Sequence, residues 1–330
     1  MVRYIIRRLL GAAVLLLVIS AITFFVFFAL PTSPGDLACG KNCSADRVKV
    51  INTALGLNRP VYQQYGLYLE HVFTGTTVDQ GLGQSTTCPF PCLGVSFKQY
   101  TPVTSILAKA FPATLSIAIG AAVLFLIVGV GVGVIAALRR GKVADKALMG
   151  GSLFFYSIPL YVLGLGLQLL FVYKWNLLPG ATYSALSAGV VPWFQGMILP
   201  WIALTFLFAA GYSRFMRASM LETLQEDFIR TARAKGLPRS TVTLRQALRG
   251  AVTPIVTLFG LDLASLLGGA VITESIFNIQ GIGLLAIQSI FDVDLPIIVG
   301  TVLLAAFFII LANVIVDVFY AVIDPRVRLS

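Results

Sequence analysis

The sequence predicts an all-α integral membrane protein with six transmembrane helices, on three observations. Hydrophobic residues make up 58% of the 330 residues, charged residues make up only 12%, and the mean hydropathy is +0.90. A water-soluble domain carries about 25% charged residues. Uncharged runs longer than the roughly 18 to 20 residues needed to cross a hydrocarbon core recur along the chain. Between two of these runs lies a short charged stretch with helical spacing, which is typical of a surface helix.

The predicted spans follow the apolar runs in order. They are Leu9–Leu30, Ala110–Leu138, Ala147–Tyr173, Ile198–Tyr212, Gly250–Thr273 and Leu295–Val316. The run Trp175–Ser213 divides because its first half is rich in Pro, Gly and Ser, so we expect a loop before the fourth span. No small-residue cleavage site follows the first run, so we interpret it as a retained anchor and not as a signal peptide.

The basic residues predict the orientation. Most of the 24 Lys and Arg residues precede the first span, join the second to the third, lie between the fourth and fifth, or follow the sixth. The positive-inside rule then places both termini in the cytoplasm. The net charge of +10 is therefore a topology signal, and we expect no nucleic-acid partner.

All four cysteines fall in one long extracytoplasmic segment, about residues 31–105. They are Cys39, Cys43, Cys88 and Cys92. That compartment is oxidising, so two Cys-x-x-x-Cys pairs favour disulfides. A structural metal site is the alternative, but the spacing is not that of a zinc knuckle and the only histidine, His71, is not adjacent, so we predict no metal. Four cysteines allow three connectivities, which the sequence leaves open.

The charged stretch at about 221–237 predicts an amphipathic surface helix. Acidic residues near its start and basic residues near its end suit the helix dipole, and Glu226 and Arg230 form an i,i+4 pair. Gly236 suits a left-handed cap, and Pro238 prevents continuation. We expect Leu221, Leu224, Phe228 and Ala232 to form one apolar stripe. Ser240 is expected to cap the helix that leads into the fifth span.

Three polar groups within or near spans are candidate pathway residues: Asp262, Asn313 and Asp317. A carboxylate at the middle of a span is costly, so Asp262 should face protein or water. Asp262 is open to a second interpretation as a hydrogen-bonded helix-packing group. Asp317 follows Asn313 by one helical turn near the cytoplasmic end of the sixth span, where the alternative is a structural role through snorkelling to water or a salt bridge. Gly129, Gly131 and Gly133 lie in an apolar span, where small residues indicate close helix packing. The stretch Glu274–Pro296 is expected to fold back over the outer mouth.

Motifs in chain order resemble those of one transporter family. They are Tyr4–Leu10, Leu55–Pro60 with Tyr65, Phe111–Leu115, Phe228–Leu237, Gly268–Ala270 with Glu274 and Phe277, and Asp324–Arg326. Over nearly its whole length the chain resembles a permease subunit of the dipeptide/oligopeptide/nickel ABC importers, specifically the first of the two paired permeases. In that family's EAA loop, Ala232 and Gly236 match the general pattern, while Arg230 and Thr231 replace Glu and Ala.

The resemblance implies the type I ABC importer permease fold in three parts. These are the tail and first helix over 1–30, the extracytoplasmic segment over 31–105, and a permease core over 106–330 with a cytoplasmic coupling helix at about 221–237. The residues implied to couple to the ATPase are Glu226, Asp227, Phe228, Arg230, Thr231, Ala232, Arg233, Ala234, Lys235, Gly236 and Leu237.

The resemblance also implies a non-catalytic subunit of a bacterial inner-membrane complex that imports di- or oligopeptides. Its expected partners are a second homologous permease, two cytoplasmic ATPases or one fused ATPase, an extracytoplasmic substrate-binding protein and membrane lipid. The ATPases would bind ATP and Mg, and this chain no cofactor, since it carries no Gly-x-x-x-x-Gly-Lys-Ser/Thr loop.

Other functions stay open. Nickel, glutathione and oligosaccharide importers share this permease pattern, so the cargo is not fixed. A proton-driven transporter would need a relay of ionisable groups within the spans, where only Asp262 is central. A membrane enzyme would need a nucleophile with a base, or a metal cluster, which His71 and scattered acids do not supply. The chain also departs from the family, because Cys88–Tyr100 looks like an insertion after Gly81–Ser85 and Gln280 replaces the proline typical before Gly281.

Overall fold

The computed structural model describes residues 2–29, 59–79 and 85–323, with side chains described over 6–27, 59–78 and 85–316. Several predictions fall outside these residues. They concern Cys39, Cys43, most of Leu55–Pro60, most of Gly81–Ser85, Asp324–Arg326 and the side chain of Asp317. The chain forms two compact units: Met1–Thr114 with Leu267–Val271 and Gln280–Ser330, and Leu115–Leu266 with Ile272–Ile279.

The described residues are mostly helical. The helices are α1 Val2–Phe24, α2 Val61–Thr74, α3 Val103–Leu138, α4 Val143–Ser157, α5 Leu160–Leu167, α6 Val190–Thr223, α7 Asp227–Ala234, α8 Arg239–Leu267, α9 Val271–Phe277, α10 Ile282–Asp292 and α11 Leu295–Ile323. π-Helical turns extend α1 over Phe25–Ala29 and α5 over Gln168–Lys174, and one lies within α8 over Val242–Ala247. Strands β1, Thr76–Asp79, and β2, Ser85–Cys88, pair antiparallel with Thr76 opposite Cys88.

The prediction of a membrane-spanning helical protein is confirmed, but the third span is not one straight helix. Within the described residues, five helices are long and apolar enough to cross a membrane, or up to seven if two bent pairs each count as one span. The pair α4 and α5 is bent by 96°. The cause is Pro159, which has no N–H to continue the helix and pushes Ile158 into an extended conformation, φ −82° and ψ 121°.

The fourth and fifth predicted spans are longer than their apolar cores. Helix α6 starts at Val190. It can include Pro192 because this residue lies in the first turn, where a backbone N–H would have no intrahelical acceptor. Helix α8 starts at Arg239 with Pro238 at the N-cap position, so the predicted cap at Ser240 is wrong. The charged ends of these helices lie beyond the uncharged runs that defined the prediction.

The second unit packs around close helix contacts. A Cβ on Gly129 would lie 2.5 Å from the Cβ of Tyr212, and one on Gly133 would lie 2.6 Å from the Cβ of Met216. The predicted packing role is therefore confirmed for these two glycines, whereas Gly131 faces open space. The ring of Phe125 stacks 5.0 Å from that of Phe208 in the same core.

The stretch Glu274–Pro296, which we expected to fold back over the outer mouth, is mostly helical. Helix α10 begins directly after Gly281, and α11 begins at Leu295. Gly283 allows a close backbone approach, because a Cβ there would lie 2.6 Å from the Cα of Val271. A side chain at this position would therefore force the backbone of the first unit apart.

Asp294 holds the segment that follows β2. Its carboxylate accepts hydrogen bonds from the hydroxyl of Ser96 and from the backbone N–H groups of Phe97, at 3.2 Å, and Lys98, at 3.4 Å. A disulfide joins Cys88 to Cys92 in the same segment, which confirms the predicted disulfide bonding for these two cysteines and gives the pairing that the sequence left open.

We expect Asp294→Ala to lower the stability of the first unit by about 2 to 3 kcal/mol, because it leaves buried donors without an acceptor. Asp294 is only 2% exposed. Asp292 is the matched control, since it pairs with Lys98 at 2.8 Å but its side chain is 56% exposed. Asp292→Asn should cost less than about 1 kcal/mol. Thermal unfolding in detergent compares the two, and equal midpoints would contradict the role given to Asp294.

Candidate functional site

The charged stretch between α6 and α8 is the candidate site. The structure divides it, which corrects the single helix predicted over about 221–237. Helix α6 ends at Thr223, the chain turns, and Glu226 takes an extended conformation, φ −63° and ψ 149°, at the N-cap position of α7. Leu221 and Leu224 therefore belong to the end of α6 and to the turn. Leu221 and Leu224 have the same helical spacing as the apolar residues of α7, so the sequence pattern gave no sign of the turn between α6 and α7.

The end of α7 follows the prediction closely. Gly236 has φ +75°, in the left-handed region, and its N–H bonds to the carbonyl of Arg233 at 3.0 Å. The N–H of Leu237 bonds to the carbonyl of Ala232 at 3.3 Å. These two bonds form a Schellman cap, which satisfies the carbonyls that a helix end leaves open. Pro238 then directs the chain into α8.

Two side chains anchor α7 to the rest of the second unit. Ile229 is fully buried and Ala232 is 8% exposed. Phe228, expected on the buried stripe, is 47% exposed, and its ring edge lies beside Gly250, where a Cβ would be 3.8 Å from the Cζ atom. Sequence reasoning missed Ile229, although the three-residue spacing from Ile229 to Ala232 is the signal that marks one helix face.

The opposite face of α7 is open to solvent. Its exposed members are Glu226, Asp227, Arg230, Thr231, Arg233, Ala234, Lys235, Gly236 and Leu237. Arg230 pairs with Asp227 at 3.3 Å, not with Glu226 as predicted, and both partners are largely exposed, so the pair adds little stability. Acidic residues precede basic ones along this face, and small Thr231 and Ala234 lie among the basic ones. Such a surface suits contact with another protein.

Polar contacts tie the ends of α4, α6 and α8 together beside α7. The hydroxyl of Ser219 on α6 donates to the carbonyl of Ala251 on α8 at 2.9 Å. Arg217 makes two bonds of 2.7 Å to the carboxylate of Asp145, which is buried and also accepts from the N–H of Gly141. These bonds connect the three helices to each other next to α7.

Two of the candidate pathway residues belong to different units, and each is described within its own unit. Asp262 accepts a 2.8 Å hydrogen bond from the hydroxyl of Tyr212 in the second unit. Asn313 lines a cavity in the first unit beside Arg7 and Arg8. In the part of the chain that the structure describes, no three His, Cys, Asp or Glu side chains are placed to hold a metal ion.

Comparisons with known proteins agree on one family. Residues 129–329 match the family described as binding-protein-dependent transport system inner membrane component, and residues 1–118 match its N-terminal family. The chain is 35% identical over 328 residues to a probable peptide ABC transporter permease protein, y4tP, of Sinorhizobium fredii, covering 98% of this chain and 99% of that protein. It is 34% identical to the glutathione transport system permease protein GsiC of Escherichia coli K12, with 99% of each covered.

A solved structure shares the fold. The inward-facing MetNI methionine ABC transporter matches with a TM-score of 0.54 at 16% identity, covering 67% of this chain and 97% of the matched chain. With the membrane-spanning helices and the capped surface helix α7 described above, the chain belongs to the binding-protein-dependent transport system inner membrane component family, and it is a permease subunit of an ABC importer.

Proposed function

We propose that this permease is the membrane subunit through which an ATP-driven importer moves di- or oligopeptides delivered by an extracytoplasmic substrate-binding protein. The observation that carries the proposal is α7, a helix with one anchored face and one exposed face. Its partners would be a second homologous permease and two cytoplasmic ATPases, or one fused ATPase. Those ATPases would bind ATP and Mg.

The mechanism follows from how α7 is held. Its exposed face enters a groove on an ATPase subunit, while Ile229 and Ala232 keep it attached to the permease. When the ATPases close on ATP, α7 moves with them. The cap at Gly236 and the turn at Pro238 pass this movement to α8, and the bonds from Ser219 and Arg217 pass it to neighbouring helices. The spans then rock as rigid bodies and open the pathway outward.

The basic residues support the orientation we propose, with both termini in the cytoplasm of a bacterial inner membrane. Exposed Arg230, Arg233 and Lys235 on α7 and Arg139 and Arg140 at the end of α3 then share one side of the membrane. This arrangement obeys the positive-inside rule. It also places α7 in the compartment that contains ATP.

The relatives favour a peptide as cargo. One is described as a peptide permease and the other as a glutathione permease. Glutathione is itself a tripeptide, so the two cargoes share amide bonds and charged ends. We propose Asp262 as a pathway group that holds the peptide amine, with Asn313 and Asp317 as further candidates.

We expect Asp262→Asn to lower uptake of peptides with a free amine about ten-fold or more, because the amide keeps a hydrogen-bond acceptor for Tyr212 but loses the charge. Tyr212→Phe is the matched control, since it removes the hydrogen bond from Tyr212 to Asp262 but leaves the carboxylate of Asp262 in place. Uptake of a free and an N-acetylated peptide by the assembled importer is the measurement. If both variants reduce both peptides equally, Asp262 is a packing group.

Uptake in cells that carry a partner ATPase with its catalytic carboxylate changed to the amide tests the proposed function. The expected result is loss of peptide accumulation, with the assembled complex still present in the membrane. Accumulation that continues unchanged would exclude an ATP-driven importer and favour a proton-driven one. Competition by glutathione against dipeptides and tetrapeptides then defines the cargo.

A further inference from the structure

The seam between α1 and α11 contains a cavity that the import mechanism does not use. It has a volume of about 570 Å³ and is lined by Arg7, Arg8 and Gly11 on α1 and by Ile310, Asn313 and Val314 on α11. Gly11 opens it, because a Cβ at this position would meet nothing within 4 Å. Two arginines and an amide therefore border a groove between two membrane-spanning helices.

The same seam continues as an apolar groove toward the other side of the membrane. A second cavity, of about 380 Å³, is lined by Leu16 and Leu17 on α1 and by Leu304 and Phe307 on α11, and α2 closes one side of it with Leu69 and Val72. Arg8 and Leu16 lie on one face of α1, since they are eight residues apart. Ten residues of helix, from Arg7 to Leu17, span about 15 Å, which is half the thickness of a hydrocarbon core.

We propose that this seam binds an anionic phospholipid of the inner leaflet, with its headgroup at Arg7, Arg8 and Asn313 and an acyl chain along the groove toward Leu17. Charge complementarity selects this occupant. In the proposed orientation, Arg7 and Arg8 lie at the cytoplasmic surface, where the membrane is negative, and basic pockets between transmembrane helices recognise such headgroups. The inference rests on that orientation and not on the cargo.

The complete importer, purified in detergent and stripped of lipid, provides the test. It is titrated with phosphatidylglycerol, with phosphatidylcholine and with inorganic phosphate, and native mass spectrometry counts the retained lipid. We expect phosphatidylglycerol to be retained over phosphatidylcholine. Arg7→Gln should weaken its binding about five-fold, the contribution of one basic side chain near an anionic surface. Gly11→Leu, which fills the groove at constant charge, should weaken the binding of both lipids.

Arg140→Gln is the matched control, because it removes an exposed charge from the loop after α3, which we assign to the same membrane surface as Arg7. It should leave lipid retention unchanged. Thermal unfolding without lipid shows whether Gly11→Leu keeps the fold, and Asn313→Ala replaces it if it does not. Equal retention of the two lipids, full displacement by phosphate, or an Arg140→Gln effect equal to that of Arg7→Gln would overturn the proposal. ATP-dependent uptake is measured separately, so a failure of the lipid site does not count against the transporter.

Discussion

Replacing Gly236 by proline is expected to abolish ATP-driven uptake while the subunit still inserts into the membrane. Proline holds φ near −65° and cannot adopt the φ of +75° at this position. It also removes the N–H that bonds to Arg233. The cap that joins α7 to α8 is then lost, so movement of α7 no longer reaches the span. Uptake by the assembled importer is measured beside the amount of permease in the membrane.

Gly141 offers a closely matched control. It has φ +78°, its Cβ position is likewise open, and its N–H also makes a hydrogen bond, to Asp145. Gly141→Pro therefore carries the same backbone conflict in another turn that we assign to the cytoplasm. We expect Gly141→Pro to retain most uptake, because the two bonds from Arg217 to Asp145 remain. Normal transport by Gly236→Pro, or equal loss in both variants at equal membrane levels, would contradict the role given to the cap.

Two alanines on opposite faces of α7 separate docking from folding. Ala234 is exposed, so Ala234→Arg should leave the permease folded but keep α7 out of the ATPase groove. We expect about ten-fold or greater loss of ATPase copurification, because a large side chain forced into a packed contact costs roughly 1–3 kcal/mol. Ala232 is buried. Ala232→Arg should therefore destabilise the permease itself, since it buries an unpaired charge.

The readouts are copurification of the ATPase subunit and thermal unfolding of the permease, compared for both variants. Ser240→Arg places the same side chain on an exposed position at the start of α8 and should change neither. If Ala234→Arg retains the ATPase at wild-type levels, the exposed face of α7 is not the docking surface.

The end of α7 could be predicted from the sequence, whereas its start could not. Gly236 and Pro238 act through their own backbone restrictions, which depend on no distant contact. Leu221 and Leu224 kept a helical spacing across the turn after Thr223, so periodicity extended the helix too far. The spacing from Ile229 to Ala232 marks one helix face, but whether that face is buried depends on packing against the rest of the second unit. A helix as short as α7 is not stable in isolation, which makes such packing decisive.

The presence of membrane-spanning helices could be predicted from the sequence, but their shape could not. Uncharged runs located the spans. The bend at Ile158 and Pro159 lies inside one such run, and a count of apolar residues cannot detect a bend. The binding of Asp294 to Ser96 joins residues far apart in the chain, so no local pattern could predict it. Disulfide formation was predictable from the compartment, while the pairing of Cys88 with Cys92 required the structure.

The most direct test of the central claim is crosslinking from Thr231, an exposed residue in the middle of α7. Thr231→Cys in the assembled importer is combined with single cysteines along the surface of the ATPase that faces the permease, with and without ATP. We expect crosslinks to one groove in every nucleotide state, with uptake blocked by the crosslink and restored by reductant. An absence of crosslinks in all states, with transport intact, would show that α7 is not where ATP-driven force enters this subunit.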